Sequence, residues 1–247
     1  MTGPNYAPRP LSAQALFELW DALAEKPTTE RALALLDASY LNLDRAQAAQ
    51  LNLGKRDDLL LRLRERLFGP KLEMTARCPE CSEAYRIDLE VPDILAWSPK
   101  ESAAPEYRTD VAGVTVAFRL ANSLDVIAAQ GATDAGYARN LLLTSCLIEP
   151  ISTDDAPDTD ILDAIGQELA RLDPLAAVKL PLDCDDCGFE WRADFDIADF
   201  VWREVDAWAN RLVYDISALA KTYGWSQTEI LKMSTRLRRR YLEQATA

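Results

Sequence analysis

The apolar positions change period several times along the chain. Residues 11–25 and 28–38 repeat at three- and four-residue intervals, which predicts two amphipathic helices, with Pro27 closing the gap and Thr28 or Thr29 as N-cap. The Leu- and Arg-rich run 55–68 predicts a third helix, stopped by Gly69 and Pro70. Segments 72–77 and 178–183 read as short strands, each followed by a Cys-x-x-Cys turn and an alternating apolar–polar run. Between them, 111–120 alternates as a strand expected to extend the same sheet, and helices are expected at 123–130, 134–147 and 161–171. The acidic, Pro-containing stretch 150–160 is expected to be a mobile loop.

The longest periodic run, 197–222, predicts a helix of roughly 40 Å at 1.5 Å per residue. Around Val201, one arc collects Trp202, Val205, Trp208, Leu212, Val213, Ile216, Leu219 and Ala220, the expected core face. Phe200, Ala207, Tyr214 and Ala218 form a thinner second stripe, to be covered either by the N-terminal helices or by a partner. Gly224 suits a left-handed helix end, and Ser226 with Glu229 forms a capping box for a short helix. A last helix opens at Ser234 or Thr235 and sets Arg236, Arg238, Arg239 and Arg240 around Leu237, Tyr241 and Leu242.

Composition narrows the chemistry. The 247 residues include no histidine, which removes Ser-His and Cys-His catalysis, histidine bases and histidine metal ligands. No apolar run reaches the roughly 18 residues of a membrane span, and residues 1–10 lack a signal-peptide pattern, so a soluble cytoplasmic protein is expected. The net charge of −13 is uneven: residues 221–247 carry six basic and two acidic side chains, a local +4 that leaves −17 on residues 1–220. Such a body repels phosphate backbones, so nucleic acid is a poor partner, and the basic terminal helix is expected to dock on an acidic protein surface instead.

Four of the five cysteines form two pairs, Cys78/Cys81 and Cys184/Cys187, while Cys146 lies in an apolar stretch as an expected inert core thiol. A shift of 106 positions aligns residues 78–94 with 184–200 without a gap. Cys78/Cys184, Cys81/Cys187, Arg86/Arg192, Asp88/Asp194 and Asp93/Asp199 are identical, and Tyr85/Trp191, Leu89/Phe195, Glu90/Asp196, Val91/Ile197 and Ile94/Phe200 are conservative. Two copies of strand, knuckle, strand facing each other predict a zinc ribbon interrupted by an insertion, although 102 residues separate Cys81 from Cys184. Four thiolates close the coordination sphere, so the expected Zn2+, one per chain, is structural rather than catalytic. A redox pair would open a helix rather than link two strands. Asp183, Asp185, Asp186, Asp194 and Asp196 match no calcium loop and read as a solvated acidic rim.

The expected fold is α+β and mainly helical, built around a split zinc ribbon of two CxxC β-hairpins, with a long C-terminal helix and terminal short helices. Its parts are an N-terminal helical region (1–70), the split ribbon (71–95 plus 174–196), an inserted strand and helices (96–173), and the long helix with its basic tail (197–247).

Several segments in order resemble one family: Leu53-Gly-Lys-Arg-Asp-Asp-Leu59, Leu63-Arg-Glu-Arg-Leu-Phe-Gly-Pro70, the two knuckles, Phe195-Asp-Ile-Ala-Asp-Phe200, Tyr223-Gly-Trp-Ser226, Glu229-Ile-Leu231 and Arg239-Arg-Tyr-Leu-Glu243. The pattern, spanning residues 11–243, resembles the baseplate hub assembly chaperones of T-even-type contractile phages and related contractile injection systems. Ser82 in place of a glycine and the acidic pair Asp185-Asp186 depart from it. The resemblance implies a non-enzymatic assembly factor or minor baseplate component, with baseplate or hub proteins as partners, no membrane contact, and a location in the cytoplasm during assembly or in the finished particle. The expected partner face is Phe200, Tyr214, Trp225, Arg238, Arg239, Arg240 and Tyr241. A zinc-ribbon adaptor contacting nucleic acid or transcription machinery is the alternative.

Overall fold

The computed structural model describes residues 6–99, 103–111, 113–149 and 159–245. The N-terminal part forms α1 (Ala13–Leu23), α2 (Thr28–Ser39), α3 (Arg45–Gln50) and α4 (Leu53–Phe68). A first hairpin, β1 (Lys71–Arg77) and β2 (Ala84–Glu90), leads into the one-turn α5 (Val91–Leu95), and a second hairpin pairs β3 (Tyr107–Val111) with β4 (Val114–Phe118). Then come α6 (Ser123–Ala129), α7 (Ala135–Ser145), α8 (Thr159–Leu172), a 3-10 turn at Pro174–Ala177, and a third hairpin of β5 (Val178–Asp183) and β6 (Glu190–Phe195). The chain closes with α9 (Ile197–Tyr223), α10 (Gln227–Lys232) and α11 (Thr235–Ala245). The fold mixes helix with small antiparallel hairpins. No helix among the described residues is long and apolar enough to cross a membrane.

The 106-residue repeat extends from sequence to backbone. Leu72 pairs with Leu89 in the first hairpin and Val178 with Phe195 in the third, and every pair of the third hairpin maps onto one of the first at the same offset. The helix that follows each hairpin also starts in register, at Val91 and Ile197, both buried. In the first copy it ends after five residues, whereas in the second it runs for 27. The main core lies between the two copies and the N-terminal helices, with Leu33 and Leu36 of α2, Leu60 and Leu63 of α4, Leu72, Val91, Val178, Val201 and Val205 in one cluster. Each such aliphatic side chain contributes roughly 1.5–3 kcal/mol by leaving water.

The segment Leu53–Leu59 is a buried polar network. Arg56 and Asp57, neighbours on α4, form a two-pronged ion pair (2.7 and 3.0 Å) while both are buried. Asp58 accepts from Lys55 (3.0 Å) and Arg62 (3.0 Å), and the Leu59 carbonyl accepts the Tyr40 hydroxyl (2.8 Å). Farther along α4, the buried Arg64 donates to Glu204 of α9 (2.7 Å) and to the Gly69 carbonyl. Asp173, at the end of α8, accepts from the Asn52 side chain and the Gly54 N–H, both at 2.9 Å, and so satisfies a free donor at the start of α4 from 119 residues away.

Three expectations are corrected, and a fourth falls mostly on residues that are not described. The strand in 111–120 does not extend the hairpin at the cysteines. It pairs with β3 instead, because Val116 and Phe118 pack with Leu143 of α7 and Ile161, Leu162 and Ile165 of α8 in a separate cluster. Pro27, not a threonine, flanks α2: its extended backbone (ψ 152°) starts the helix at Thr28, and the Thr29 hydroxyl accepts from Gln130 instead. Val213 is 43% exposed rather than core, and Ala209 takes a core place that the pattern did not assign. The expected loop at 150–160 lies outside the described residues except for Thr159 and Asp160, which open α8.

Gly54 gives the fold its sharpest test. A Cβ at this position would meet Asp173 Oδ1 at 1.8 Å. Alanine favours a helix interior by about 1 kcal/mol over glycine, so propensity alone predicts stabilisation. Gly54→Ala should instead destabilise the chain by about 2 kcal/mol, because Asp173 must abandon its donors. Urea unfolding measures the sign.

Candidate metal centre

The two knuckles are built alike. Cys78 N–H donates to the Glu83 carbonyl and Ser82 N–H to the Cys78 carbonyl (both 2.9 Å). Cys184 N–H donates to Phe189 (2.9 Å) and Gly188 N–H to Cys184 (2.8 Å), again 106 positions on. Closing this loop puts Ser82 at φ +63° and Gly188 at φ +70°. The family departure at Ser82 therefore falls on a left-handed position, which strains any residue with a Cβ. In each knuckle the first cysteine is buried and the second exposed.

All four sulfurs lie within 4.8 Å of one another. Across the hairpins, Cys78 Sγ is 3.7 Å from Cys187 Sγ, and the symmetry-related pair Cys81 and Cys184 is 3.5 Å apart. Four sulfurs about 2.3 Å from a central metal would stand about 3.8 Å apart at the corners of a tetrahedron. The arrangement fits a metal ion, and all four thiols are free of disulfides.

Electrostatics favours a cation here. Burial opposes ionisation of Cys184, but hydrogen bonds from Tyr85, from the Cys187 N–H and from neighbouring thiols outweigh it and bring that thiol to about 6. The hydrogen bond to Cys184 in turn pushes Cys187 up to about 12, and Cys81 is raised as well. One thiolate thus suppresses the ionisation of its neighbours, a conflict that a bound cation removes.

Tyr85 adds an outer contact that the cysteine spacing did not reveal. Its single O–H proton, on the first hairpin, is shared between Asp186 Oδ2 of the other knuckle (2.6 Å) and Cys184 Sγ (3.0 Å). These two bonds, the carboxylate first, hold the phenol protonated well above its ordinary range. The ring faces its repeat partner Trp191 with centroids 6.4 Å apart. The tyrosine–tryptophan equivalence and the acidic Asp186 were both visible in the sequence, but their meeting across two copies was not. Nor are the acidic residues here a purely solvated rim: Asp196 caps α9 by accepting from Asp199 N–H (3.0 Å), and Asp194 lies 3.7 Å from Lys179 Nζ. Cys146 stands apart, wholly buried, with burial pushing its thiol up to about 12.

The structure separates the residues of the expected partner face. Phe200 packs edge-on against Phe195 (5.2 Å) beside the main core. Trp225 stacks on Tyr223 (4.5 Å), and Tyr241 meets Trp225 edge-on (4.8 Å). Arg238 is buried. Tyr214, at 77% exposure, and the exposed Arg239 and Arg240 stand on the surface. On α9 the N-terminal helices reach from Asp206, where Trp20 donates (2.8 Å), to Leu212, which clusters with Phe17, and leave Tyr214 uncovered.

A family model described as T4 bacteriophage base plate protein matches residues 17–202. No curated protein and no solved structure matches the chain. The repeated knuckle geometry predicts unequal effects of two substitutions: Gly188→Ala should destabilise the chain by about 1 kcal/mol, whereas Ser82→Gly should be neutral or stabilising. Equal losses in thermal unfolding would contradict a shared left-handed requirement.

Proposed function

The chain belongs to the T4 bacteriophage base plate protein family, and we propose that within it the protein is a non-enzymatic assembly factor or minor structural component of the baseplate hub, stapled by one structural zinc. The family match over residues 17–202 carries the baseplate role. The mutual approach of four sulfurs to within 4.8 Å supports the staple. In this reading Cys78, Cys81, Cys184 and Cys187 hold the Zn2+. The ion supplies no chemistry beyond cross-linking and charge neutralisation, because four thiolates leave no open position. By analogy with zinc-finger peptides it contributes on the order of 10 kcal/mol of apparent folding free energy.

The proposed organisation is a split ribbon of 71–95 and 174–196, flanked by 1–70 and 197–247 and interrupted by 96–173. The proposed partner face lies at the C-terminal end, with Tyr214, Arg239 and Arg240 as its surface groups. Phe200, Trp225 and Tyr241 support the helices that present them. Arg236, Arg239 and Arg240 are all exposed on α11 and give the C-terminal end its positive charge. Exposed arginines at the end of so acidic a chain offer that charge to another protein.

Two outcomes follow. Elemental analysis of freshly purified, reduced protein should give close to one zinc per chain, and Cys184→Ser should misfold rather than lose a single function. Metal-free folded protein would remove the staple. Quantitative mass spectrometry of particles and assembly intermediates, with a known baseplate subunit as standard, should find the chain in fixed ratio in one or the other. Absence from both would overturn the baseplate role.

A further inference from the structure

Among the described residues three arginines are buried, and two are fully engaged: Arg56 by Asp57 and Arg64 by Glu204 and the Gly69 carbonyl. The third, Arg238 of α11, is 3% exposed, yet its Nε and Nη1 have no hydrogen-bond partner among the described residues. Asp215 of α9 attracts it without bonding to it, and burial holds the guanidinium below its usual range. Burial likewise raises Asp215, against the attraction of Arg238, Arg239 and Arg211. The Arg238 Nε and Nη1 groups have thus lost water without gaining a bond, an arrangement that disfavours the contact.

Beyond Arg238, α11 presents no fully buried side chain to its neighbours, and Leu237 is 44% exposed. The helix is held by the aromatic cluster of Tyr223, Trp225 and Tyr241, together with a 3.3 Å bond from the Tyr223 hydroxyl to the Tyr241 carbonyl. An amphipathic helix that buries an unsatisfied cation and exposes a leucine is seated on a surface that does not complement it.

We propose that α11 is a detachable arm, parked on α9, which docks into an acidic groove of a partner protein that supplies a carboxylate to Arg238. Charge selects the occupant. Arg236, Arg239 and Arg240 on the exposed side add to Arg238, so the matching surface is anionic. The −17 carried by residues 1–220 opposes a nucleic-acid backbone but tolerates a local cluster of carboxylates aimed at the arm. Leu237 and Tyr241 then serve as apolar anchors in the helix-in-groove manner. This inference rests on the reading that the C-terminal end meets a baseplate partner.

The test uses the full-length protein and Arg238→Met, which keeps the stem and removes the charge. Hydrogen exchange of the amides in α11 should slow by about fivefold in the variant, because an unsatisfied buried group is gone. Unchanged or faster exchange would mean that Arg238 holds the helix down, and would overturn the parked state. In parallel, a labelled poly-L-glutamate peptide and a DNA duplex of matched charge are titrated against both proteins. The peptide should bind the wild type, and at least tenfold more weakly the variant. Equal binding to both proteins removes Arg238 from the interface, and binding of the duplex alone overturns the choice of an acidic protein partner. Particles that contain the wild-type chain while exchange in the variant speeds up would leave the baseplate role standing and reject only the arm.

Discussion

The arrangement that joins the two repeats of this fold is the convergence of four sulfurs, from two hairpins separated by 102 residues, within 4.8 Å. Each knuckle alone is a short loop with one left-handed position, and an isolated two-stranded hairpin is marginal in water. The hairpins become stable by facing each other and by sharing a core with α2, α4 and α9. The chain leaves after α5 and has to return with its register intact.

That return is secured by polar contacts as much as by apolar ones. Asp173 bonds to the start of α4 immediately before the 3-10 turn and β5, so the second hairpin is aimed from a point fixed to the N-terminal helices. Arg64 ties α4 to α9 on the other side. These groups are buried and satisfied, and removing one partner of such a pair costs more than the pair contributes. The motif from Leu53 to Leu59 thus has a structural explanation: glycine for the close approach of Asp173, and charged residues for a network that closes on itself.

Helix α9 carries this geometry outward. Its first turns belong to the main core and its last turns to the aromatic cluster that holds α11, so about 40 Å of helix separates the cysteine end from the basic end. The cysteine end is acidic and the other end basic.

The sequence by itself determined the local elements and the repeat. The 106-residue offset, the alternating strands after each knuckle, the helix periods and the capping boxes are short-range signals written in adjacent residues. The helix α3 was legible too, through the Asp44 and Gln47 capping box, but was not picked out. What tertiary structure alone decided is which surfaces meet: that β4 pairs with β3 rather than with the cysteine hairpins, that Tyr85 reaches Asp186, that Asp173 requires a glycine at position 54, and that Arg238 is buried with its Nε and Nη1 unbonded. Periodicity says that a face is apolar or that a charge exists, but burial and pairing depend on residues a hundred positions away. Only the packed chain brings those together.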